Sequence, residues 1–297
     1  MSTIERAIET LSTQPGGPAV PAQELPQPRG VEVAPEKPVV EVQPNRPGDN
    51  ESSQPRIDLD FARLRQAGFV TPDGERTQVA EEFRHIKRPL LLNAFGRGAL
   101  QTANRNLVMV SSARPGEGKT YTTINLALSI ALERDLTVLL VDADVAKPSI
   151  ARVLNFPGTA GLVDYLADHN VPLSKLILQT SVPKLRILPS GRRHAHSTEL
   201  LASESMLRLV TELAQRYPDR IVLFDSPPLL ATSEAAVLAG LMGQVVMVVE
   251  AGGTKREELS EALSLLNPKQ YVALTLNKSA KPFGADYYYA SYQAYGE

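Results

Sequence analysis

The chain has 297 residues, 43% of them apolar and 22% charged, enough to bury a sizeable core in one large or two small domains. Its 31 Lys and Arg stand against 33 Asp and Glu, so no global field points to nucleic acid or an anionic membrane as the main partner, and any electrostatic function has to be local. It contains no cysteine, which excludes disulfides, thiolate metal sites and a cysteine nucleophile and agrees with a reducing cytoplasm.

The first thirteen residues place Ile4, Ala7, Ile8 and Leu11 on one face of a short amphipathic helix. Such a helix is marginal alone in water, so it is either a fraying terminus or a docking peptide that folds on a partner or a membrane. It lacks the apolar run of a secretory signal, and no stretch approaches the roughly 18 apolar residues of a membrane span, so a soluble cytoplasmic protein is expected. Residues 14–56 hold ten of the 23 prolines and few large apolar side chains, the composition of a disordered, partly extended linker.

The ordered domain is expected over 57–279. In "QVAEEFRHIKRPLLLNAF", residues 78–95, Val79, Phe83, Ile86 and Leu90 follow helical spacing up to Pro89. Apolar runs then predict strands at 106–112, 137–144, 185–190, 220–228, 244–250 and 271–278, separated by helical patterns such as "KTYTTINLALSIALERD" and "STELLASESMLRLVTELAQRY". Continuous apolar strands separated by helices indicate a mostly parallel sheet covered on both faces. Ligands of such sheets bind beyond the carboxyl ends of the strands.

"ARPGEGKT", residues 113–120, stands between the first of these strands and a helix. That is the phosphate-loop pattern in its required context, with Ala113 for the first glycine. Gly116 and Gly118 let backbone N–H groups turn onto phosphate oxygens, Lys119 would reach the β- and γ-phosphates, and the Thr120 hydroxyl would ligate Mg²⁺. Asp142 and Asp144 end one predicted strand and Asp225 another. A single strand-end aspartate is commonly a helix cap, but three converging on a phosphate loop suit a hard cation. Asn277 is placed either to read the nucleotide base or to make an ordinary strand-end turn. The four histidines show no metal spacing.

The chain ends in "ADYYYASYQAYGE", where Tyr287, Tyr288, Tyr289, Tyr292 and Tyr295 are five of its nine tyrosines. Their neighbours are Ala, Ser, Gln, Gly, Asp and Glu, a poor core and a good exposed tail over 280–297. The phenol hydroxyls themselves are then the feature to explain, unless the tandem rings are an aromatic anchor.

With "ARPGEGKT", "LLVDAD", "IVLFDSPP" and the terminal tyrosines together, the chain resembles the bacterial tyrosine kinases of polysaccharide export, most nearly the autokinases of exosortase (PEP-CTERM) loci. The stretches "EEFRHIKRPLL", "DADVAKPSIARVL" and "ELLASE" carry the same resemblance, which covers 57–297 and the N-terminal helix. It implies a P-loop NTPase-like fold related to partitioning and division-site ATPases, with nucleotide motifs at 113–120, 138–144 and 221–225. It further implies ATP and Mg²⁺ as cofactors, nucleotide contacts along Arg114, Gly116, Glu117, Gly118, Lys119, Thr120 and Tyr121, Asp142 as general base, and Asp144 and Asp225 at the metal. The tail tyrosines would be phosphorylated in a neighbour's site within a homo-oligomeric ring held through the helix that bears Glu81, Arg84 and Lys87, where Lys replaces the family's second Arg. Ala146 and Lys147 depart from the family, which often has Arg at the former.

The partners so implied are a separate membrane chain-length co-polymerase that activates the kinase and holds it at the inner membrane, and a tyrosine phosphatase; nucleic acid is not among them. The alternatives are a positioning ATPase, disfavoured by Arg114 where those proteins carry a signature lysine, and an ATP-binding regulatory subunit without transfer activity.

Overall fold

The computed structural model describes residues 55–74, 77–96, 104–168, 170–194, 196–216 and 219–279. The N-terminal helix, most of the linker and the tyrosine tail expected from sequence lie outside these residues. Eight strands form one sheet: β1 Arg56–Ile57, β2 Leu107–Ser112, β3 Thr137–Asp142, β4 Leu178–Thr180, β5 Leu185–Leu188, β6 Arg220–Asp225, β7 Gln244–Glu250 and β8 Tyr271–Asn277. Their order is β1-β4-β5-β3-β6-β2-β7-β8. Every pairing is parallel except β4 with β5.

The six strands expected from apolar runs are all present. The two that have no apolar run, β1 and β4, are two and three residues long and exist through tertiary pairing. Gln179 N–H donates to Pro55 O at 2.9 Å and Ser181 N–H to Ile57 O at 3.0 Å. They add an edge of opposite direction to an otherwise parallel sheet, a common arrangement in doubly covered sheets. Three predicted strands also overran by two residues or more. β3 stops at Asp142, β5 at Leu188 and β6 at Asp225; β6 ends there because Ser226 turns back to bond Val110 O through both its N–H and its hydroxyl, and Pro227 and Pro228 have no N–H to give the ladder.

Side chains alternate along β2, so Val108 and Val110 face one layer and Leu107 and Met109 the other. The first layer is built by α1 Phe61–Gln66, α2 Gln78–Ala94 and α3 Lys119–Ala131, bringing Leu64, Phe83, Leu90, Ile124 and Leu128 onto the sheet. The second comes mainly from α8 Glu204–Arg216, α9 Ser233–Leu241 and α10 Arg256–Ser264, through Met206, Leu209, Leu238 and Ala262. Four short helices lie between: α4 Ile150–Leu154, α5 Leu162–Ala167, α6 Leu173–Leu176 and α7 Ser197–Leu200. The long pattern at 197–217 is thus two helices. Between them Ser203 accepts from Met206 N–H through Oγ while donating that hydroxyl to Leu200 O.

α2 does not stop at Pro89 but continues to Ala94. Proline removes one intrahelical N–H and crowds the carbonyl of residue 85, a cost of about 3 kcal/mol in a helix interior. The last turn persists because Leu90, Asn93 and Ala94 are buried, and Asn93 Nδ2 donates to Gln244 Oε1 at 3.2 Å. Packing overrides the local signal. Leu90→Ala is therefore expected to lose about 2–5 kcal/mol in denaturant unfolding, whereas a loss below about 0.5 kcal/mol, as at a surface position, would show that packing does not hold this turn.

Candidate functional site

The loop after β2 runs beneath the mouths of β3, β6 and β8. Gly116 and Gly118 sit at φ +90° and +96°, a left-handed conformation that glycine alone adopts freely. Gly118 has a second constraint: a Cβ there would lie 2.0 Å from Asn277 Nδ2. That Asn277 amide donates to Glu117 O at 2.9 Å, so β8 is tied to the loop rather than left free at a strand end. α3 begins at Lys119, and its first N–H groups present a helix N-terminus to the space above the sheet.

Glu117 turns inward and is fully buried. One carboxylate oxygen accepts from Arg114 N–H at 2.9 Å and the other from the Thr254 hydroxyl. Its visible job is to brace the loop. Arg114 reaches sideways to Glu258, 3.0 Å away; this contact holds the guanidinium above its usual pKa, while the Lys255 N–H bond, and then Arg114, hold the Glu258 carboxyl below its own. Tyr121 points away from the loop, with its ring 4.9 Å from that of Phe69 and its hydroxyl donating to Gly68 O at 2.7 Å.

Lys119, Thr120 and the three aspartates do converge. Lys119 Nζ lies 2.6 Å from Asp144 Oδ2. Burial opposes its charge, but the Asp225 and Asp144 carboxylates more than offset that and raise its pKa. Thr120 Oγ1 donates to Asp225 Oδ2 at 2.6 Å, and Thr123 Oγ1 lies 3.2 Å from Asp225 Oδ1. Burial pushes the Asp225 carboxyl up to about 6 even with Lys119 and Thr120 opposing the rise. Asp142 Oδ2 accepts from Ser149 and Ile150 N–H at 3.2 and 3.1 Å, while Oδ1 is buried without a hydrogen-bond partner. Burial, then the nearby Asp225 charge, pushes Asp142 up to about 8.

This donor set fits Mg²⁺, a hard cation that prefers oxygen. It consists of the Asp144 and Asp225 carboxylates and the Thr120 hydroxyl, oxygen donors throughout. Among the described residues no three acidic or imidazole groups are arranged to hold a metal by themselves, so phosphate oxygens and water would complete the sphere. Sequence reasoning missed Ser149, whose Oγ is 2.9 Å from Thr120 Oγ1, as well as Thr254 and Glu258, which carry no local motif. Thr123 was findable: one helical turn after Lys119, it faces the same way.

The residues expected at a ring contact separate. Arg84 pairs with Glu81 on the exposed side of α2. Lys87 instead is buried, its ammonium 2.7 Å from Ser129 O and 2.6 Å from Glu133 Oε1. Spacing gives the reason: Phe83, Lys87, Leu90 and Ala94 form one i, i+4, i+7, i+11 stripe, which is the core face. In the other departure Ala146 and Lys147 are both exposed, and Lys147 meets Asp144 through its backbone N–H at 3.1 Å.

The aspartate shifts fix the sign of a pH response. A carboxyl whose folded pKa lies above its unfolded value binds more protons when folded, so its contribution to stability is present at low pH and lost as pH rises through the folded value. The nucleotide-free, chelated protein is therefore expected to lose stability from about pH 4 to about pH 8, the interval between the ordinary carboxyl range and the raised Asp142 value. Asp142→Asn should flatten that slope and raise Tm more at pH 8 than at pH 5. An identical Tm difference at both pH values would remove Asp142 as the source.

The family described as "AAA domain" matches residues 105–265. Tyrosine-protein kinase YwqD of Bacillus subtilis is 34% identical over 159 residues, 54% of this chain and 65% of that protein. Tyrosine-protein kinase CpsD of Streptococcus agalactiae is 29% identical over 194 residues, 64% and 82% of the two chains. Among solved structures, the VpsO kinase domain superposes with a TM-score of 0.59 at 27% identity, covering 74% of this chain and 98% of that one. The family match runs from just before β2 to just past α10, over half the chain and across the phosphate loop and both aspartate-bearing strands, and the chain belongs to the AAA domain family.

Proposed function

We propose that this protein is an ATP- and Mg²⁺-dependent protein-tyrosine autokinase that phosphorylates its own C-terminal cluster, Tyr287, Tyr288, Tyr289, Tyr292 and Tyr295, in trans. The observation that carries the reading is the convergence of Lys119, Thr120 and three buried aspartates on one phosphate loop, in a chain whose relatives are named tyrosine-protein kinases. A phenol of pKa about 10 is scarcely ionised at neutral pH. Asp142, whose carboxyl is pushed up to about 8 and has one open oxygen, is suited in its ionised form to take its proton.

Lys119, now paired with Asp144, would turn to the β- and γ-phosphates of a bound nucleotide, and the N–H groups at the start of α3 would serve the same phosphates. Thr120, Asp144 and Asp225 would hold Mg²⁺, which would supply charge neutralisation on the transferring phosphoryl group. Glu117 and Asn277 keep the loop in shape. Positioning and charge neutralisation provide most of the rate in phosphoryl transfer, with the base adding to them. Arg114 and Tyr121 act in this reading as supports of the loop and of α3.

The finer parts rest on the motif resemblance. They are a role in exopolysaccharide synthesis or export, an association with exosortase loci, a homo-oligomeric ring touched by Glu81 and Arg84, a separate membrane co-polymerase as activator, a phosphatase that resets the tail, and a cytoplasmic position at the inner membrane through that activator. No helix among the described residues is long and apolar enough to cross a membrane.

Two substitutions test the core of the reading. Lys119→Met should abolish tyrosine phosphorylation, measured by mass spectrometry after incubation with ATP and Mg²⁺, with the thermal transition kept. Asp142→Asn should keep ATP affinity and lower transfer by about 10² or more. Full phosphorylation of Lys119→Met would refute the phosphate-loop role. ATP hydrolysis by wild type without any phosphotyrosine would favour the positioning ATPase instead.

A further inference from the structure

A cavity of about 680 Å³ lies far from the phosphate loop, where the end of α2 meets the turn after α3, between Arg84 and Phe95 on one side and Glu133 and Leu136 on the other. α3 starts at the loop and its 13 residues span about 20 Å, so the cavity sits at the opposite end of the sheet. Its size is that of a small-ligand site.

The lining has two kinds of surface. Leu91 and Phe95, both half-buried, give it an apolar wall. Arg88 and Arg134 are exposed, and among the described residues neither guanidinium has a hydrogen-bond or ion-pair partner. Arg84 adds a third guanidinium, shared with Glu81. Lys87 and Glu133, also at the wall, neutralise each other at 2.6 Å, leaving Asp135 as the opposing charge. The balance is cationic.

An occupant has to bring an anion with several acceptor oxygens and an apolar, preferably flat, body. Two guanidiniums that are free to turn can each grip a phosphate edge-on through paired N–H donors. A phosphate on tyrosine adds about −1.5 to −2 charges beyond an aromatic ring, and the ring would lie against Leu91 and Phe95. We propose that this cavity binds phosphotyrosine of the chain's own C-terminal segment, residues 280–297. The proposal rests on the autokinase reading, because that reaction makes the ligand. Reach permits it: from Ala280 to Tyr295 the segment extends about 50 Å at roughly 3.3 Å per residue, more than the length of α3. Product phosphates would thereby be held away from Asp142, Asp144 and Asp225, whose charges repel them, and against the α2 face that bears Arg84.

Synthetic peptides of residues 280–297 make the test independent of whether the chain is a kinase. Binding to full-length Lys119→Met protein is measured by fluorescence anisotropy for three peptides: unmodified, phosphorylated on all five tyrosines, and with the five tyrosines replaced by glutamate. The phosphorylated peptide is expected to bind at least about tenfold tighter than either other peptide, a difference of about 1.4 kcal/mol. Adding Arg88→Gln and Arg134→Gln should erase that preference while leaving Tm unchanged, since both side chains are exposed. Equal binding of the three peptides, equal binding of the phosphorylated and glutamate peptides, or undiminished binding by the double arginine variant would overturn the proposal. Absence of phosphotyrosine in wild type after ATP would instead count against the autokinase reading, which the peptide titration does not touch.

Discussion

Three carboxylates buried at the mouth of a parallel sheet are the constraint around which the rest of the structure is arranged. Removing ionised carboxylates from water without partners costs more than a domain's net stability allows. The chain meets this with Lys119 on Asp144, the hydroxyls of Thr120 and Thr123 on Asp225, and the N–H groups of Ser149 and Ile150 on Asp142. The compensation is incomplete at Asp142 Oδ1, and the raised Asp142 and Asp225 values are its electrostatic trace. A site in this state favours whatever brings positive charge to it, as a divalent cation arriving with nucleotide phosphates would.

The phosphate loop owes its shape to a second buried carboxylate. Glu117 fastens the start of the loop to Thr254, beyond β7, while Asn277 at the end of β8 holds the Glu117 carbonyl. Segments distant in sequence therefore fix one turn. Their convergence explains why a glycine is needed at 118, where the left-handed backbone and the nearness of the Asn277 amide act together. It also means that changes in the connection after β7 are transmitted to the nucleotide site through a short chain of hydrogen bonds in a region of low dielectric, where each bond counts for more.

α3 links two sites at opposite ends of the sheet. Its N-terminus faces the aspartates, and the turn beyond its C-terminus forms part of the cationic cavity. α2 lies along it, pinned by Lys87, which reaches the carbonyl of Ser129 and the carboxylate of Glu133. A motif read as three charges on one exposed face is thus divided by the helix itself. Arg84 remains outside and Lys87 becomes a strut between two helices.

The sequence by itself determined the class of fold, the six long strands and the phosphate loop, because continuous apolar runs and the glycine–lysine–threonine spacing are local signals tied to local geometry. Lys119, Thr120, Asp142, Asp144 and Asp225 were legible for the same reason: each follows directly on a strand or loop whose end is marked. Only the tertiary structure decided the edge strands β1 and β4, too short for any apolar pattern, and the passage of α2 through Pro89, where burial of Leu90 outweighs proline's local cost. It also decided the roles of Glu117, Ser149 and Thr254. A hydrogen bond between residues 137 positions apart, as for Thr254 and Glu117, or 29 apart, as for Ser149 and Thr120, leaves no periodicity in a sequence, since its partners are chosen by where the sheet brings them and not by their neighbours in the chain.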